Sequence, residues 1–401
     1  MRLDKIQSIP HINKFKLLGL TSMLLAQLFI SGCWNQIEVS STVEAAGLAC
    51  DLQNNQPSVS VQLAQPVSRG ESGGEPSKPI NITQTGQTYT EAARKTMLSL
   101  PRLPVWSHAG VIIIGEDLAQ QDVSWVADFI ARNRNFRKTS SLFITSGTTA
   151  RECLEAELPV ESFSIAGLKK LIRIQEQQLG YYSEVATDKF LEELATPGIQ
   201  PVVPQVTIIE VDNKKVLRLD GTAVFKDRKV VGSLNEVESQ GYRFLSPRMI
   251  NGGFLVVNYP PDGEASPTNR LIGFELTRSL AAVKPVFEGN KVRMQIHIEA
   301  EGNFYEQTFI GDVLTLNNVK KIEALIDERI KEEVNAAIMK AQGLNSDIFG
   351  WGRMIRKQNP KVWQELETDW DAVFPGIETD ITVHFAMRRS YLLDRSFEFK
   401  E

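Results

Sequence analysis

Residues 111–145 read VIIIGEDLAQQDVSWVADFIARNRNFRKTSSLFIT. The four consecutive apolar residues Val111–Ile114 are typical of a buried strand. Leu118 to Arg132 follows with apolar residues at helical spacing and predicts one amphipathic helix, and Ser141 to Thr145 predicts a further strand. Because strands and helices alternate, this stretch predicts an α/β domain.

The same mixture of elements continues on the N-terminal side. Val43 to Asp51 and Val59 to Val67 have strand character, and the residues from Gln53 to Pro57 favour a turn between them. Thr90 to Leu100 predicts a short helix that Pro101 ends. The proline-rich stretch from Thr196 to Pro204 is the best candidate for a boundary. We therefore assign residues 33–200 to an N-terminal α/β domain.

Two further regions follow this boundary. Short strand-like runs such as Val206 to Val211, and period-two runs at Leu271 to Leu276 and Val292 to Ala300, predict a β-rich middle domain over residues 201–305. The longest helical pattern is 317–342, with apolar residues spaced three and four apart and Gly343 at its end. Together with a last strand at Asp380 to Phe385, it predicts a C-terminal α/β domain over residues 306–401.

The beginning of the chain resembles a bacterial lipoprotein export signal. Lys14 and Lys16 precede an apolar run from Leu17 to Ile30, which ends in Ser31-Gly32-Cys33. The run is about 14 residues long, which is typical of a signal peptide, whereas a spanning helix needs about 20. Residues 1–32 are therefore predicted to be a signal peptide, and Cys33 is predicted to carry a diacylglyceryl anchor. An uncleaved transmembrane anchor, or a plain secretory signal with an incidental cysteine, is the alternative.

Composition and motifs exclude several classes of function. A net charge of −5 over 401 residues argues against a nucleic-acid role that needs a basic face. No phosphate-binding loop, hydrolase motif or zinc-type cysteine pair is found, and His108, His297 and His384 are far apart in sequence. We therefore predict no catalytic, cofactor-binding or metal-binding residues, and no enzymatic activity.

Two cysteines follow Cys33, and they leave two interpretations open. Cys50 lies in a strand-like run and Cys153 in a helix-like run. An exported protein could join them in a disulfide, and two buried thiols are at least as compatible with the pattern.

Two local clusters are candidates for contacts. The basic residues between Arg132 and Lys138 either complement the dipole at a helix C-terminus or contact anionic lipid or an acidic partner. The segment from Asp347 to Lys357 mixes aromatic residues, glycines and cations. Its aromatic residues either pin short helices onto the long one or form an interface hot spot. The predicted partner contacts are Phe349, Trp351, Arg353 and Lys357.

Several stretches resemble the Ger(x)C family of spore germination lipoproteins. The matching stretches are Cys33-Trp34-Asn35, Thr90 to Gly115, Gly221 to Gly232, Lys340 to Gly350 continuing to Lys357, Pro360 and Trp363, and Arg388-Arg389. Asn35 stands where the family usually has Asp, and Trp351 stands where Phe is common. The order and spacing hold across nearly the whole chain after Cys33.

This resemblance implies a three-domain α/β architecture in which each domain is built on a β-sheet with surrounding helices. It also implies a C subunit of a nutrient germinant receptor, lipid-anchored at the outer face of the cytoplasmic (spore inner) membrane. Such a subunit works with two integral membrane partners, A and B, in assembly and signal coupling during germination. The alternative is an extracytoplasmic solute-binding lipoprotein of a nutrient transporter, a class that the β-rich middle region fits poorly.

Overall fold

The computed structural model describes residues 38–64, 79–159, 161, 164–260, 270–289, 291–309, 311 and 313–390, and a few isolated positions before residue 23. Cys33 lies outside these residues, as does nearly all of the predicted signal peptide. Met1–Thr42 form one unit and Val43–Glu401 a second, compact unit.

The described strands form two sheets. The strands are β1 (Thr42–Gln53), β2 (Gln56–Leu63), β3 (Ile80–Thr85), β4 (Leu103–Val105), β5 (Val111–Ile114), β6 (Ser141–Thr145), β7 (Val202–Val211), β8 (Lys214–Lys226), β9 (Lys229–Leu234), β10 (Phe254–Asn258), β11 (Leu271–Glu288), β12 (Lys291–Gln307) and β13 (Glu378–Arg389). The first sheet has the order β3-β2-β1-β5-β6-β7-β8-β9, with β4 paired to β1, and the second has the order β10-β11-β12-β13. Mixed α/β architecture is confirmed.

Helices occupy the intervals between the strands. They are α1 (Tyr89–Lys95), α2 (Glu116–Gln121), α3 (Ser124–Arg132), α4 (Ala150–Glu155), α5 (Ser164–Gln178), α6 (Thr187–Ala195), α7 (Glu236–Phe244), α8 (Leu316–Gly343), α9 (Trp351–Gln358), α10 (Pro360–Leu366) and α11 (Trp370–Val373). The long helix α8 confirms the helix predicted over 317–342, because its apolar spacing was continuous and Gly343 is its last residue.

The centre of the first sheet is buried on both faces. Strands β1, β5, β6 and β7 are mutually parallel. In β5, Ile112 and Ile114 pack into one core, which includes side chains from α1, α3 and α6. Val111 and Ile113 pack into another core with side chains from α4 and α5. This double burial is why the strand is an unbroken apolar run instead of an alternating one.

The second sheet is covered mainly on one face. Along β12 buried and exposed residues alternate, with Met294, Ile296, Ile298 and Ala300 buried. These side chains share a core with Ile322, Ile326 and Ile330 of α8 and with residues of α7, α9 and α10. One packed and one solvated face is the usual arrangement of a largely antiparallel sheet.

The amphipathic segment predicted as one helix from Leu118 to Arg132 is two helices. Asp122 ends α2 with extended backbone, and its carboxylate accepts a hydrogen bond from the Ser124 backbone N–H at 2.8 Å. The Arg228 guanidinium also lies 3.3 Å from this carboxylate. The prediction of one helix was wrong because helical periodicity does not register a side chain that satisfies local backbone groups.

The first sheet crosses the domain boundary predicted near residue 200. The strand β7 starts at Val202 and pairs in parallel with β6, and β8 and β9 extend the same sheet. Strands of the predicted middle region, 201–305, are therefore divided between the two sheets. The prolines near residue 200 interrupt local regularity, and this local signal indicated a boundary. The parallel pairing of β6 with β7 joins residues that are distant in sequence, so no local signal predicted it.

Candidate functional site

The segment from Ser346 to Arg353 comprises most of the connection between α8 and α9 together with the first residues of α9, and it contains three of the four residues that the sequence singles out. Asp347 lies at its centre with a fully enclosed carboxylate. Oδ1 accepts the Trp351 N–H at 3.0 Å, and Oδ2 accepts the Gly352 N–H at 2.8 Å and the Trp370 indole N–H at 3.2 Å. Burial raises the pKa of Asp347 to about 6, although these N–H donors act in the opposite direction.

This connection is fastened to the first sheet by hydrogen bonds. The Ser346 hydroxyl donates to the carbonyl oxygen of Phe225 in β8. The backbone N–H of Gln200 donates to the carbonyl of Asp347, and the N–H of Arg353 donates to the carbonyl of Gly198, both at 2.8 Å. We call residues 346–353, together with 198–200 and Phe225, the Asp347 junction. It ties the helices of the second sheet to the strands of the first.

Glycines make the close approach in this junction possible. A Cβ on Gly352 would lie 2.7 Å from the Cα of Gly198 and 2.7 Å from the Trp363 ring. Gly198 and Gly350 also have positive φ angles of 77° and 69°, a backbone conformation that residues other than glycine rarely adopt. The glycines are therefore explained by backbone contact between the two parts of the molecule.

The aromatic residues of this region form one buried cluster. Phe349 stacks on Trp351 with ring centroids 5.1 Å apart, and Trp351 contacts Phe374 at 5.6 Å. Trp363 and Trp370 meet edge to face at 5.3 Å. Trp351 is 0% exposed and Phe349 is 8% exposed. Trp351 is therefore buried and not exposed to a partner, because its ring fills the core between α8 and α9.

The cations of the same segment lie at the surface. The Arg353 guanidinium lies 4.0 Å from the Glu192 carboxylate of α6, and 40% of its side chain is exposed. Lys357 is exposed at the end of α9. Of the four predicted contact residues, the structure thus brings two into the core and leaves Arg353 and Lys357 accessible. Partner contact by any of them stays a prediction.

A second buried joint, which the sequence did not indicate, lies at Arg243 in α7. Its guanidinium donates to the carbonyl oxygens of Glu176, Gly180, Asn251 and Gly252 at distances of 2.9–3.3 Å. Glu176 lies in the last turn of α5 and Gly180 just after this helix, which packs on the first sheet, whereas Asn251 and Gly252 precede β10 of the second sheet. Arg243 therefore joins the same two parts as the Asp347 junction does. A lone arginine in a short helix gave no signal in the sequence.

The remaining candidate groups are dispersed in the structure. Cys50 and Cys153 are buried, unpaired thiols, and burial raises the pKa of both. His108 faces Glu44 and His297 faces Glu299, at 3.4 and 3.5 Å. Among the described residues, no group of three or more His, Cys, Asp or Glu side chains could hold a metal ion. Within the same part of the chain, no helix is both long and apolar enough to cross a membrane.

Comparison with known proteins gives consistent matches over nearly the whole chain. Residues 35–208 match the spore germination protein N-terminal domain, and residues 220–391 match the family described as spore germination B3/GerAC like, C-terminal. Spore germination protein KC of Bacillus subtilis is 22% identical over 392 residues, covering 92% of this chain and 95% of the relative. Spore germination protein B3 of the same organism is 25% identical over 369 residues, covering 89% and 93%.

One solved structure has the same fold. The crystal structure of the GerBC protein matches with a TM-score of 0.52 and 20% identity, and the match covers 85% of this chain and 96% of that one. This likeness concerns the fold, and the two matching family models concern the sequence. The chain belongs to the Ger(x)C family of spore germination proteins.

Proposed function

We propose that this chain is a membrane-tethered, non-enzymatic subunit of a spore nutrient germinant receptor. The observation that carries the proposal is the pair of family matches over residues 35–208 and 220–391, together with relatives named as spore germination proteins over about nine-tenths of the chain. In this role the diacylglyceryl group on Cys33 holds the body at the outer face of the spore inner membrane. Tethering raises its effective concentration near membrane-bound partners.

The subunit acts through contacts with the integral membrane A and B subunits, in assembly and signal coupling. The Asp347 junction and Arg243 support this role because they join the two sheets through buried hydrogen bonds. A force or displacement applied to one sheet is then transmitted to the other. Two accessible cations are the contact residues that we propose for a partner: Arg353, at the end of the junction, and Lys357, four residues further along α9.

The test is a pull-down of the full chain from detergent-solubilised spore membranes. We expect two polytopic membrane proteins to co-purify with the wild type, and their recovery to fall with Cys33→Ala. Arg353→Glu combined with Lys357→Glu should also lower recovery without changing the amount of folded protein. The matched control is Lys284→Glu with Lys291→Glu, which reverses two exposed charges on the β11–β12 hairpin.

One result would contradict this function, and another would contradict only the proposed contact residues. Recovery of an ATPase-coupled permease would favour the solute-binding lipoprotein, especially if nutrients raised the melting temperature of the chain. Equal recovery of the two membrane proteins with the wild type and with Arg353→Glu/Lys357→Glu would remove these two residues from the proposed contact and leave the receptor assignment in place.

A further inference from the structure

The first sheet has one edge at which its central parallel strands, β1, β5, β6 and β7, start. Ala45 of β1 pairs with Leu63, and Leu63 pairs with Ile80 at the start of β3. On the other side of β1, the Gly110 N–H donates to the carbonyl of Ala46 at 3.0 Å, and the Ser141 N–H donates to the carbonyl of Gly110 at 2.9 Å. We call this side of the sheet its N-terminal edge.

Apolar side chains are exposed at this edge. The helix α1 begins at the opposite edge, where the Tyr89 hydroxyl donates to the carbonyl of Asp51 at 3.3 Å. It runs back along β2 and β3 and continues in the 3₁₀ turn Thr96–Ser99, after which β4 pairs with β1. The exposed apolar residues here are Ile80, Met97, Leu98 and Leu103, and Leu98 is 81% exposed. Burial of this group would be favourable, and nothing in the described chain covers it.

Unpaired arginines accompany the apolar residues. Arg94 and Arg102 flank the 3₁₀ turn, and Arg134 and Arg137 lie in the loop that leads from α3 to β6. In the described part of the chain none of these four has an ion-pair partner. Phe136 holds the loop in place, with its ring 5.7 Å from Trp106 and 5.2 Å from Phe129.

The other cations of the region already have partners. Lys95 pairs with Glu91, and Arg132 pairs with Asp128. Lys138 donates to the carbonyls of Ile130 and Ala131 at the end of α3, as expected of a cation at a helix C-terminus.

Acidic side chains follow β5 at the opposite edge of the sheet. Glu116 and Asp117 lie at the C-terminal end of β5, and Asp122 there pairs with Arg228. A negatively charged surface would be attracted more to the four arginines of the N-terminal edge than to this acidic end.

The predicted lipid anchor on Cys33 also favours a membrane contact at the N-terminal edge. Ten peptide steps separate Cys33 from Val43, and such a segment spans at most about 35 Å when it is fully extended. A lipid on Cys33 would therefore keep the N-terminal edge within about 35 Å of the bilayer, while the far end of β1 lies roughly 30 Å further along the strand.

We propose that the N-terminal edge docks on an anionic lipid bilayer, a role that rests on the lipid anchor of the proposed function. Leu98, Met97, Leu103 and Ile80 enter the headgroup region, and Arg94, Arg102, Arg134 and Arg137 contact lipid phosphates. Apolar side chains beside cations are the combination that binds at a membrane surface. The docked body presents the Asp347 junction to its partners in one fixed orientation instead of rotating on its tether.

The experiment labels the full, lipidated chain at one added cysteine. Leu98→Cys places an environment-sensitive fluorophore at the N-terminal edge, and Val211→Cys places it beyond the opposite edge, at the end of β7. Cys50 and Cys153 are buried and should not react. The protein is reconstituted into vesicles of phosphatidylcholine with phosphatidylglycerol, and a spin-labelled lipid is added as quencher.

We expect at least about threefold stronger quenching at position 98 than at position 211, and a loss of this difference at high salt. Replacing Arg134 and Arg137 by Glu should abolish the difference, whereas Lys284→Glu with Lys291→Glu should preserve it. Vesicles of phosphatidylcholine alone should give weaker quenching at position 98.

Three outcomes would overturn the proposal. Equal quenching at both positions, in protein that co-sediments with vesicles and has a lipidated Cys33 by mass, would contradict docking while the anchor stands. An unmodified Cys33 would contradict both the anchor and docking. Protection of position 98 only in native membranes that contain the A and B subunits, and never on protein-free vesicles, would assign this edge to a protein partner.

Discussion

The Asp347 junction and the N-terminal edge of the first sheet use similar residue types in opposite ways. At the junction, aromatic rings and glycines are enclosed, and the buried carboxylate has three N–H donors. At the N-terminal edge, Leu98 and its apolar neighbours are exposed beside arginines that have no ion-pair partner in the described chain. The Asp347 junction has the more conspicuous sequence motif, but the exposed apolar surface lies at the N-terminal edge.

This difference shows that a motif rich in tryptophan and glycine is not by itself a binding surface. Glycine permits close backbone contact, and aromatic rings gain most when they are fully buried. Both properties serve internal packing at residues 346–353. An exposed leucine on a short 3₁₀ turn produces no motif, and only the neighbouring elements show that it is uncovered. The following predictions test this contrast.

The largest expected effect is that of Trp351→Ala. Removing a fully buried tryptophan side chain should lower the free energy of unfolding by about 4 kcal/mol, because contacts are lost and a cavity is left. Trp125→Ala is the matched control, since the Trp125 side chain in α3 is 66% exposed, and it should change stability by less than about 0.5 kcal/mol. Urea unfolding followed by circular dichroism measures both. Equal destabilisation by the two variants would contradict the contrast between core and surface.

Asp347→Ala should follow, with a loss of about 3 kcal/mol. The substitution leaves the N–H groups of Trp351, Gly352 and Trp370 buried without an acceptor, and each unsatisfied buried donor is costly. The comparison is Asp371→Ala, which removes an exposed carboxylate that pairs with Lys226 and should have little effect. Thermal unfolding of both variants provides the measurement. A stable Asp347→Ala protein would mean that the junction does not hold the two sheets together.

The free energy of unfolding should depend on pH because one carboxylate in α8 is buried. Burial raises the pKa of Glu333 in α8 to about 7, with Arg329 acting in the opposite direction. The protonated form is favoured in the folded chain, so this contribution to stability is present at low pH. The contribution of Glu333 to the free energy of unfolding should fall by about 2 kcal/mol as the pH rises from 5 to 7.

Glu333→Gln tests this assignment. The variant should remove that part of the pH dependence because glutamine does not titrate. Unfolding free energies of both proteins, measured from pH 5 to 8, provide the comparison. Parallel curves for the variant and the wild type would show that Glu333 does not titrate in this range.

The smallest effect on stability is expected at the N-terminal edge. Arg134→Glu with Arg137→Glu should change the free energy of unfolding by less than about 0.5 kcal/mol, because both side chains are exposed and neither has an ion-pair partner among the described residues. The melting temperature should stay at the wild-type value while contact with anionic vesicles is lost. A large fall in the melting temperature would mean that the loop after α3 supports the fold instead of a membrane contact.

Local patterns in the sequence predicted many individual elements. The hairpin between β1 and β2 turns at Asn54 and Asn55, both with positive φ angles, where asparagine is tolerated. The helix α8 differs from its prediction by one residue at each end. These elements were predictable because caps, turns and apolar spacing act over a few residues.

The motif at residues 347–357 was found from the sequence, but its role was not. Whether Trp351 is exposed depends on α8, on Phe374 and on the loop at Gly198, which lies about 150 residues earlier in the chain. No local pattern contains this information. The joint at Arg243 was missed for a similar reason, since two of its four backbone acceptors, Glu176 and Gly180, lie more than 60 residues earlier in the chain.

The sequence by itself determined the mixed α/β class, the family, the predicted lipobox at Cys33 and most helices and strands, because these depend on composition and on short-range periodicity. The tertiary structure decided that the first sheet continues past residue 200, that Phe349 and Trp351 belong to the core, and that the apolar and basic residues at the N-terminal edge share one surface. Each of these depends on which distant segments pack together, and packing is set by the sum of many long-range contacts.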